Sequence, residues 1–361
     1  MKHEFHALTI AEVRHETSDA ISYGLNVPDA VRDHFRFRPG QHITVRAGIG
    51  SDVVERTYSI SNAPADRLLW ITIKLTHGGV FSSWAHASLK AGMMIETTPP
   101  AGRFTLPEKD GTPRRIVGIA AGSGITPIMG IIEHALADEP AAHVSLLYGN
   151  RSVDQIIFRT RLEHLKDLHL HRLQVFHVLS RDAEADVPVL AGRIDGGKIR
   201  ALLGGALPGS GDHVFLCGPD SLIKEARDTL LALGVPRTAI HFEFFKQGPQ
   251  AATAGKPAQI LARPASAGSD TEVVAVLDGV RKTFRVPEGV HIIDAALAAG
   301  IRLPYSCKGG MCCTCRAKLV DGEVTMDRNF SLEAWEMAAG FVLTCQARPK
   351  TSRLVLDYDQ M

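Results

Sequence analysis

With 361 residues, 45% of them hydrophobic and 22% charged, the chain has the composition of a globular protein with room for two or three domains. A formal net charge of +1 at pH 7 offers no electrostatic case for nucleic acid or an anionic membrane. No apolar run nears the roughly 20 residues that span a bilayer, and Met1-Lys2-His3-Glu4-Phe5-His6 does not read as a signal peptide, so the expected compartment is the cytoplasm.

Over residues 1–110, apolar and polar residues alternate in short runs at 42–46, 56–60 and 69–75, separated by Pro-Gly or Gly-Gly breakers. This pattern predicts the short strands of a small antiparallel β-barrel. On one of these strands, Arg56-Thr57-Tyr58-Ser59 places Arg56 and Tyr58 on one face and Thr57 and Ser59 on the other. A fixed guanidinium can pair with a phosphate, and an aromatic beside it can stack on a flavin ring. Some twenty residues on, Gly78-Gly79-Val80-Phe81-Ser82-Ser83 reads as a glycine turn opening a helix, whose amides suit a pyrophosphate. Either motif alone is weak; the two in this order point to a flavin.

Residues 111–246 change character. A buried-type strand at 116–120 leads into Gly122-Ser123-Gly124, and helical periodicity follows over 125–137. Apolar runs at 144–148, 173–179 and 214–217 and an amphipathic stretch at 222–233 complete an alternation of strand and helix. That alternation predicts an α/β domain with a parallel sheet covered on both faces. The loop departs from the G-x-G-x-x-G fingerprint, because Pro127 stands where the third glycine would be. Support comes from Cys217-Gly218-Pro219 at the end of a later strand, where open parallel sheets bind ligands. Ser180-Arg181, after another strand, offers a hydroxyl and a guanidinium for the 2′-phosphate of NADPH, with an ordinary exposed loop as the alternative.

Residues 247–270 are rich in Ala, Gly, Pro and Ser and read as a linker. Residues 271–361 hold strand-like runs at 273–277 and 283–286 and a short helix at 292–299 that Gly300 ends. The cysteines follow. Cys307-x4-Cys312-x2-Cys315, with Cys345 after twenty-nine further residues, is the plant-type [2Fe–2S] spacing. Lys308-Gly309-Gly310-Met311 supplies glycines that let amides approach the sulfides. A zinc site is the alternative, but four-cysteine zinc sites come as two close pairs and Cys345 has no close partner in sequence. Cys313 receives no iron from this spacing. A zinc-bearing scaffold or non-enzymatic redox sensor is the rival from another class, and a colourless zinc protein without flavin would identify it. The sixteen histidines show no metal-ligand spacing; His77, His134 and His143 read as surface or satisfied polar residues. No Ser-His-Asp constellation stands out.

These motifs, in this order, resemble the ferredoxin–NADP reductase superfamily, in the arrangement with a plant-type ferredoxin domain fused after the reductase. Phe37-Arg38-Pro39-Gly40-Gln41, Arg56-Thr57-Tyr58-Ser59, Gly122-Ser123-Gly124-Ile125-Thr126-Pro127 and Cys217-Gly218-Pro219 carry the likeness. Three further stretches are similar to the reductase subunits of multicomponent phenylacetyl-CoA epoxidases: Gly322-Glu323-Val324-Thr325-Met326-Asp327, Gly340-Phe341-Val342-Leu343-Thr344-Cys345-Gln346 and Leu356-Asp357-Tyr358-Asp359-Gln360.

The resemblance implies FAD rather than FMN, NADPH, a β-grasp ferredoxin domain, and an oxygenase partner of the diiron epoxidase kind. Steroid or alkyl hydroxylases and Rieske dioxygenases are the rival partners. It implies that Arg56 holds the flavin phosphates, Tyr58 stacks on the isoalloxazine and Ser59 lies near N5. It places Thr57, Ile73, Lys74, Gly79, Val80 and Ser82 among the FAD contacts, the Gly79–Ser82 turn at the pyrophosphate. Gly122, Gly124 and Thr126 would meet the NADPH pyrophosphate, Ser180 and Arg181 its 2′-phosphate, and Cys217, Gly218 and Pro219 the nicotinamide side. Glu243 and Phe245 would lie near the other face of the flavin, although the adjacent aromatics leave Phe244 open as well. Tyr58, Ser59, Cys217 and Glu243 form the implied catalytic set, and Cys307, Cys312, Cys315 and Cys345 the cluster ligands. Cys313 departs from the family's usual small residue, which bears on loop packing and oxidative stability.

Overall fold

The computed structural model describes residues 4–108, 111–181, 187–206, 211–245, 270–277, 279–305, 308–310, 313–329, 332 and 334–360. The chain divides into two compact units, Met1–Ala252 and Thr253–Met361. Apart from Asp270, the linker expected at 247–270 lies outside the described residues.

The first unit opens with β1 (His6–Thr17), β2 (Ala20–Asn26), β3 (His42–Ile49), β4 (Asp52–Ser59), β5 (Leu69–Lys74) and, after helix α1 (Val80–Ser88), β6 (Met94–Thr97). They pair antiparallel in the order β4-β3-β6-β1-β2-β5. A bridge from Ile60 to Ile71 joins the two outer strands and closes the sheet on itself. The period-2 pattern explains the core: Leu8 and Ile10, Ile43 and Val45, and Ile71 and Ile73 all point inward. Each such side chain, buried from water, stabilises by roughly 1.5–3 kcal/mol. Phe81 and Ala85 of α1 complete this core, and Tyr23 Oη donates to Ala85 O at 3.0 Å.

The second half of this unit is a parallel sheet of β7 (Arg115–Ala121), β8 (His143–Asn150), β9 (Leu173–Leu179), β10 (His213–Gly218) and β11 (Ile240–Phe244). Helices α2 (Ile125–Asp138), α3 (Arg159–Leu168), α4 (Gly196–Leu203) and α5 (Asp220–Ala232) lie between its strands in the chain. The strand order is β11-β10-β7-β8-β9, so the chain leaves β7 toward β8 and later returns to its other side as β10. Such a reversal opens a crevice at the strands' carboxyl ends.

The second unit contains β12 (Thr271–Leu277), β13 (Val280–Val286), α6 (Ile292–Ala298), β14 (Arg316–Asp321), β15 (Val324–Met326), α7 (Ala334–Ala338), β16 (Phe341–Leu343), β17 (Ala347–Pro349) and β18 (Arg353–Asp357). Its main sheet runs β13-β12-β18-β14-β16, with β12 and β18 parallel and the other pairs antiparallel, while β15 pairs with β17. Ile292, Ile293 and Ala296 of α6 join Val273, Ala275, Phe284 and Leu356 in one core.

Candidate functional site

The strand β4 presents the flavin motif. Arg56, Thr57 and Tyr58 are half-buried and Ser59 is buried. Arg56 Nη1 donates to Glu55 O at 2.7 Å, and burial lowers the guanidinium's proton affinity. Tyr58 packs its ring 5.8 Å from that of Phe81, and burial pushes its hydroxyl well above the usual tyrosine range. Thr57 Oγ1 lies 3.2 Å from Thr44 Oγ1 across the β3–β4 pair.

The turn into α1 closes on itself. Ser82 Oγ accepts from Thr76 N–H at 3.1 Å and donates to Gly79 O at 3.3 Å, while Gly79 N–H donates to Thr76 O at 2.8 Å. No side chain caps α1 among the described residues, so its first-turn amides stay available to a phosphate. Of the other expected contacts, Ile73 is fully buried in the barrel core, Lys74 pairs with Asp19 at 2.9 Å, and Val80 is exposed beside the turn.

The nucleotide motifs meet at the crevice. Gly122–Gly124 form one 3-10 turn between β7 and α2, and Cys217, Gly218 and Pro219 follow at the carboxyl end of the neighbouring β10. Gly124 lies so close to β10 that a Cβ there would stand 2.1 Å from Cys217 O. Thr126 Oγ1 donates to Ser123 O at 3.0 Å, and Tyr148 Oη donates to Gly122 O at 2.9 Å, so both side chains brace the loop. Pro127 is tolerated because it sits in the first helical turn, where an N–H has no intrahelical acceptor. Ser180 and Arg181 are exposed just beyond β9, and their amides donate to Asn150 O and Arg151 O.

Cys217 and Glu243 are register partners on β10 and β11. Burial first, and the Glu243 charge second, push the Cys217 thiol well above the usual cysteine range. Phe245 packs against the core that contains Cys217, whereas Phe244 pairs edge to face with Phe242 at 5.5 Å. One neighbour carries no signal in the sequence. His42, on β3 opposite Ser59, places Nδ1 3.6 Å from Glu243 Oε1.

In the second unit, Cys307 and Cys312 lie outside the described residues. Cys315 and Cys345 are both buried. Thr344 donates to Cys315 O from its N–H at 3.1 Å and from Oγ1 at 2.9 Å, and Tyr358 Oη donates to Thr344 Oγ1 at 2.9 Å. Gln346 Nε2 donates to Lys308 O at 2.9 Å, which ties the loop after Cys307 to the segment after Cys345. Gly310 has φ +75° and faces Arg328 O, which would lie 2.9 Å from a Cβ, so only glycine keeps this loop tight. Cys313 is half-buried at φ 54°, and its carbonyl accepts from Arg316 N–H at 3.0 Å.

The residues fit the groups they are expected to hold. The barrel offers a guanidinium, an aromatic face and an uncapped helix start; the crevice offers a braced glycine turn; the second unit brings two buried cysteines to one glycine-bearing loop. Among the described residues, no helix is long and apolar enough to cross a membrane. His77 and His143 are exposed, and His134 pairs with Asp138 at 3.0 Å.

Comparison with known proteins agrees with this geometry. Residues 7–106 match the oxidoreductase FAD-binding domain family, 119–228 the oxidoreductase NAD-binding domain, and 275–350 the 2Fe-2S iron-sulfur cluster binding domain. The chain is 39% identical over 359 residues to a component of the 1,2-phenylacetyl-CoA epoxidase of Escherichia coli (strain K12), covering 98% of each chain. It is 35% identical over 363 residues to the ferredoxin reductase component of 3-ketosteroid-9-alpha-monooxygenase from Mycolicibacterium smegmatis, covering 98% of this chain and 97% of that one. The solved phthalate dioxygenase reductase shares the fold, with a TM-score of 0.59 at 24% identity and 98% of each chain covered. FAD, a nicotinamide nucleotide and a [2Fe–2S] cluster are therefore its cofactors. The chain belongs to the family of oxygenase reductase components that join FAD-binding, NAD-binding and 2Fe-2S domains in one polypeptide, and it is an electron-transferring oxidoreductase.

Proposed function

We propose that the chain is the NADPH-dependent reductase of a diiron phenylacetyl-CoA epoxidase and works in the cytoplasm. The observation that supports this partner is the 39% identity to the Escherichia coli epoxidase component over 98% of both chains, against 35% for the steroid monooxygenase component. When bound, FAD would supply hydride acceptance from the reduced nicotinamide, and the [2Fe–2S] cluster would supply one-electron transfer onward.

The rest is the work of this chain's residues. Residues 1–110 bind FAD, 111–246 bind NADPH, 247–270 link, and 271–361 form the ferredoxin domain. Arg56 neutralises the flavin phosphates, Tyr58 covers the ring and Ser59 stands at its reacting edge. The amides of Gly79, Val80 and Ser82 hold the pyrophosphate, while Thr57, Ile73 and Lys74 shape the adjoining wall. Gly122, Gly124 and Thr126 seat the NADPH pyrophosphate, and Ser180 and Arg181 select its 2′-phosphate. Cys217, Gly218 and Pro219 position the nicotinamide, with Glu243 and Phe245 closing the pocket. Holding donor carbon and acceptor nitrogen within roughly 3–3.5 Å is the protein's contribution to the rate; hydride transfer itself requires no acid or base. Cys307, Cys312, Cys315 and Cys345 ligate the cluster.

The test is reconstitution. Mixed with the epoxidase oxygenase subunits, the protein should support NADPH-driven turnover of phenylacetyl-CoA and co-purify with them. Reduction of a Rieske or steroid oxygenase in preference would refute the assignment.

A further inference from the structure

Glu243 keeps only 12% of its side chain exposed, and its Oε2 has no hydrogen-bond partner among the described residues. A carboxylate oxygen buried in this way is costly to leave without a polar neighbour. The group that meets it belongs to the barrel. His42 Nδ1 lies 3.6 Å from Glu243 Oε1, and the imidazole is itself only 5% exposed.

His42 is held firmly from behind. Its N–H donates to Ala101 O at 2.9 Å, and its carbonyl accepts from Ala101 N–H at 2.8 Å. The ring rests against Gly102, where a Cβ would stand 2.8 Å from Nδ1. A side chain at position 102 would therefore push the ring from its place. The imidazole is thus a fixed post standing on β3, and Glu243 reaches it from β11. The contact ties together two register pairs, His42 with Ser59 and Glu243 with Cys217, which come from different sheets of one unit.

We propose that His42 is a positioning residue that fixes the Glu243 carboxylate between barrel and parallel sheet, and through it the Cys217 edge at which hydride transfer takes place. This rests on the reading of that edge given above. Without the imidazole, the carboxylate faces a gap and turns away, and β11 relaxes with it. A displacement of about 1 Å at a group lining a reacting pair lowers the rate on the order of 100-fold.

Single-turnover reduction of the flavin by NADPH, in the full-length holoprotein, tests the proposal. His42→Leu should slow reduction by roughly 10- to 100-fold while the NADPH dissociation constant changes less than about threefold. His42→Asn, whose amide can offer a donor near the place of Nδ1, should recover most of the loss. Once Glu243→Gln has been made, adding His42→Leu should slow the reaction by less than about twofold. If the two losses multiply, or Asn fares as badly as Leu, His42 only fills space and the proposal is overturned.

A second readout does not depend on turnover. Urea unfolding of the full-length single and double variants should show the two substitutions coupled by about tenfold in the unfolding equilibrium constant. Independent effects would count against the contact even if a variant proved too weak in flavin to assay. A wild-type protein whose flavin NADPH does not reduce would overturn the reading of the site instead, and the unfolding cycle would still judge the His42–Glu243 contact.

Discussion

At the scale of single residues, the crevice depends on atoms that are missing as much as on those present. Gly124 admits β10 because it has no Cβ; an added methyl would have to displace the Cys217 carbonyl from 2.1 Å. Gly124→Ala should therefore destabilise the protein by about 1–3 kcal/mol and raise the KM for NADPH, read by thermal melting and initial rates. Requirements of this kind are legible in sequence, since a glycine loop between strand and helix has few other reasons to exist. Three of the cluster cysteines, Cys307, Cys312 and Cys315, are legible for a similar reason, because their spacing is local. His42 was not. Its significance arises only when Glu243, about two hundred residues later, arrives beside it, and a lone histidine on a strand gives no local sign of such a partner.

At the scale of elements, the period-2 and period-3.6 patterns were sufficient for the barrel and the parallel sheet, while the two aromatics that the sequence left open differ in their packing. Phe245 packs with the Cys217 core, and Phe244 turns to Phe242. Helices α3 and α4 were less visible, since each buries only a narrow face. The β10–β11 pair also carries a pH dependence. His213 Nδ1 and His241 Nε2 lie 3.1 Å apart, and His241 stacks on Phe215 with ring centroids 4.8 Å apart. Burial, then the neighbouring His213, lowers His241 from the ordinary histidine value to about 4. The unfolded chain then binds the extra proton first as pH falls, so stability present above about pH 6.5 is lost on acidification toward pH 4. Urea melts of the nucleotide-binding half at pH 7 and pH 4.5 should show this loss, roughly 2–3 kcal/mol from His241 alone. His241→Phe, which keeps the stack on Phe215, should flatten the slope.

At the scale of the whole molecule, the chain is modular, and its two compact units can be questioned separately. Cys345→Ser should lose most of the iron yet keep NADPH oxidation with an artificial acceptor such as ferricyanide, because the first unit contains both the proposed flavin and nucleotide sites. Cys313→Ser should retain the cluster, because the plant-type ligand spacing assigns Cys313 no iron, and the Arg316 N–H bond goes to its backbone carbonyl. Metal analysis and the visible spectrum read both outcomes; iron kept in the first or lost in the second would reverse the ligand assignment. The order of domains was legible from motif order, since each motif belongs to a compact fold. The partner was not, because oxygenase choice is written in surface shape and not in any short motif.

The self-closed turns have a practical consequence. Ser82 and Thr126 use their hydroxyls within the loops that contain them, so on the proposed reading the dinucleotides meet backbone amides there, which every residue except proline supplies. On the proposed reading, side chains in those loops say little about which nicotinamide coenzyme is used, and discrimination is assigned to the exposed pair at the exit of β9. Exchanging Ser180 and Arg181 should be enough to convert coenzyme preference without rebuilding either cradle. Arg181→Ala should lower kcat/KM for NADPH by about tenfold or more while leaving NADH within about threefold, as expected when one charge-assisted phosphate contact is lost. Equal losses with both coenzymes would place the recognition elsewhere.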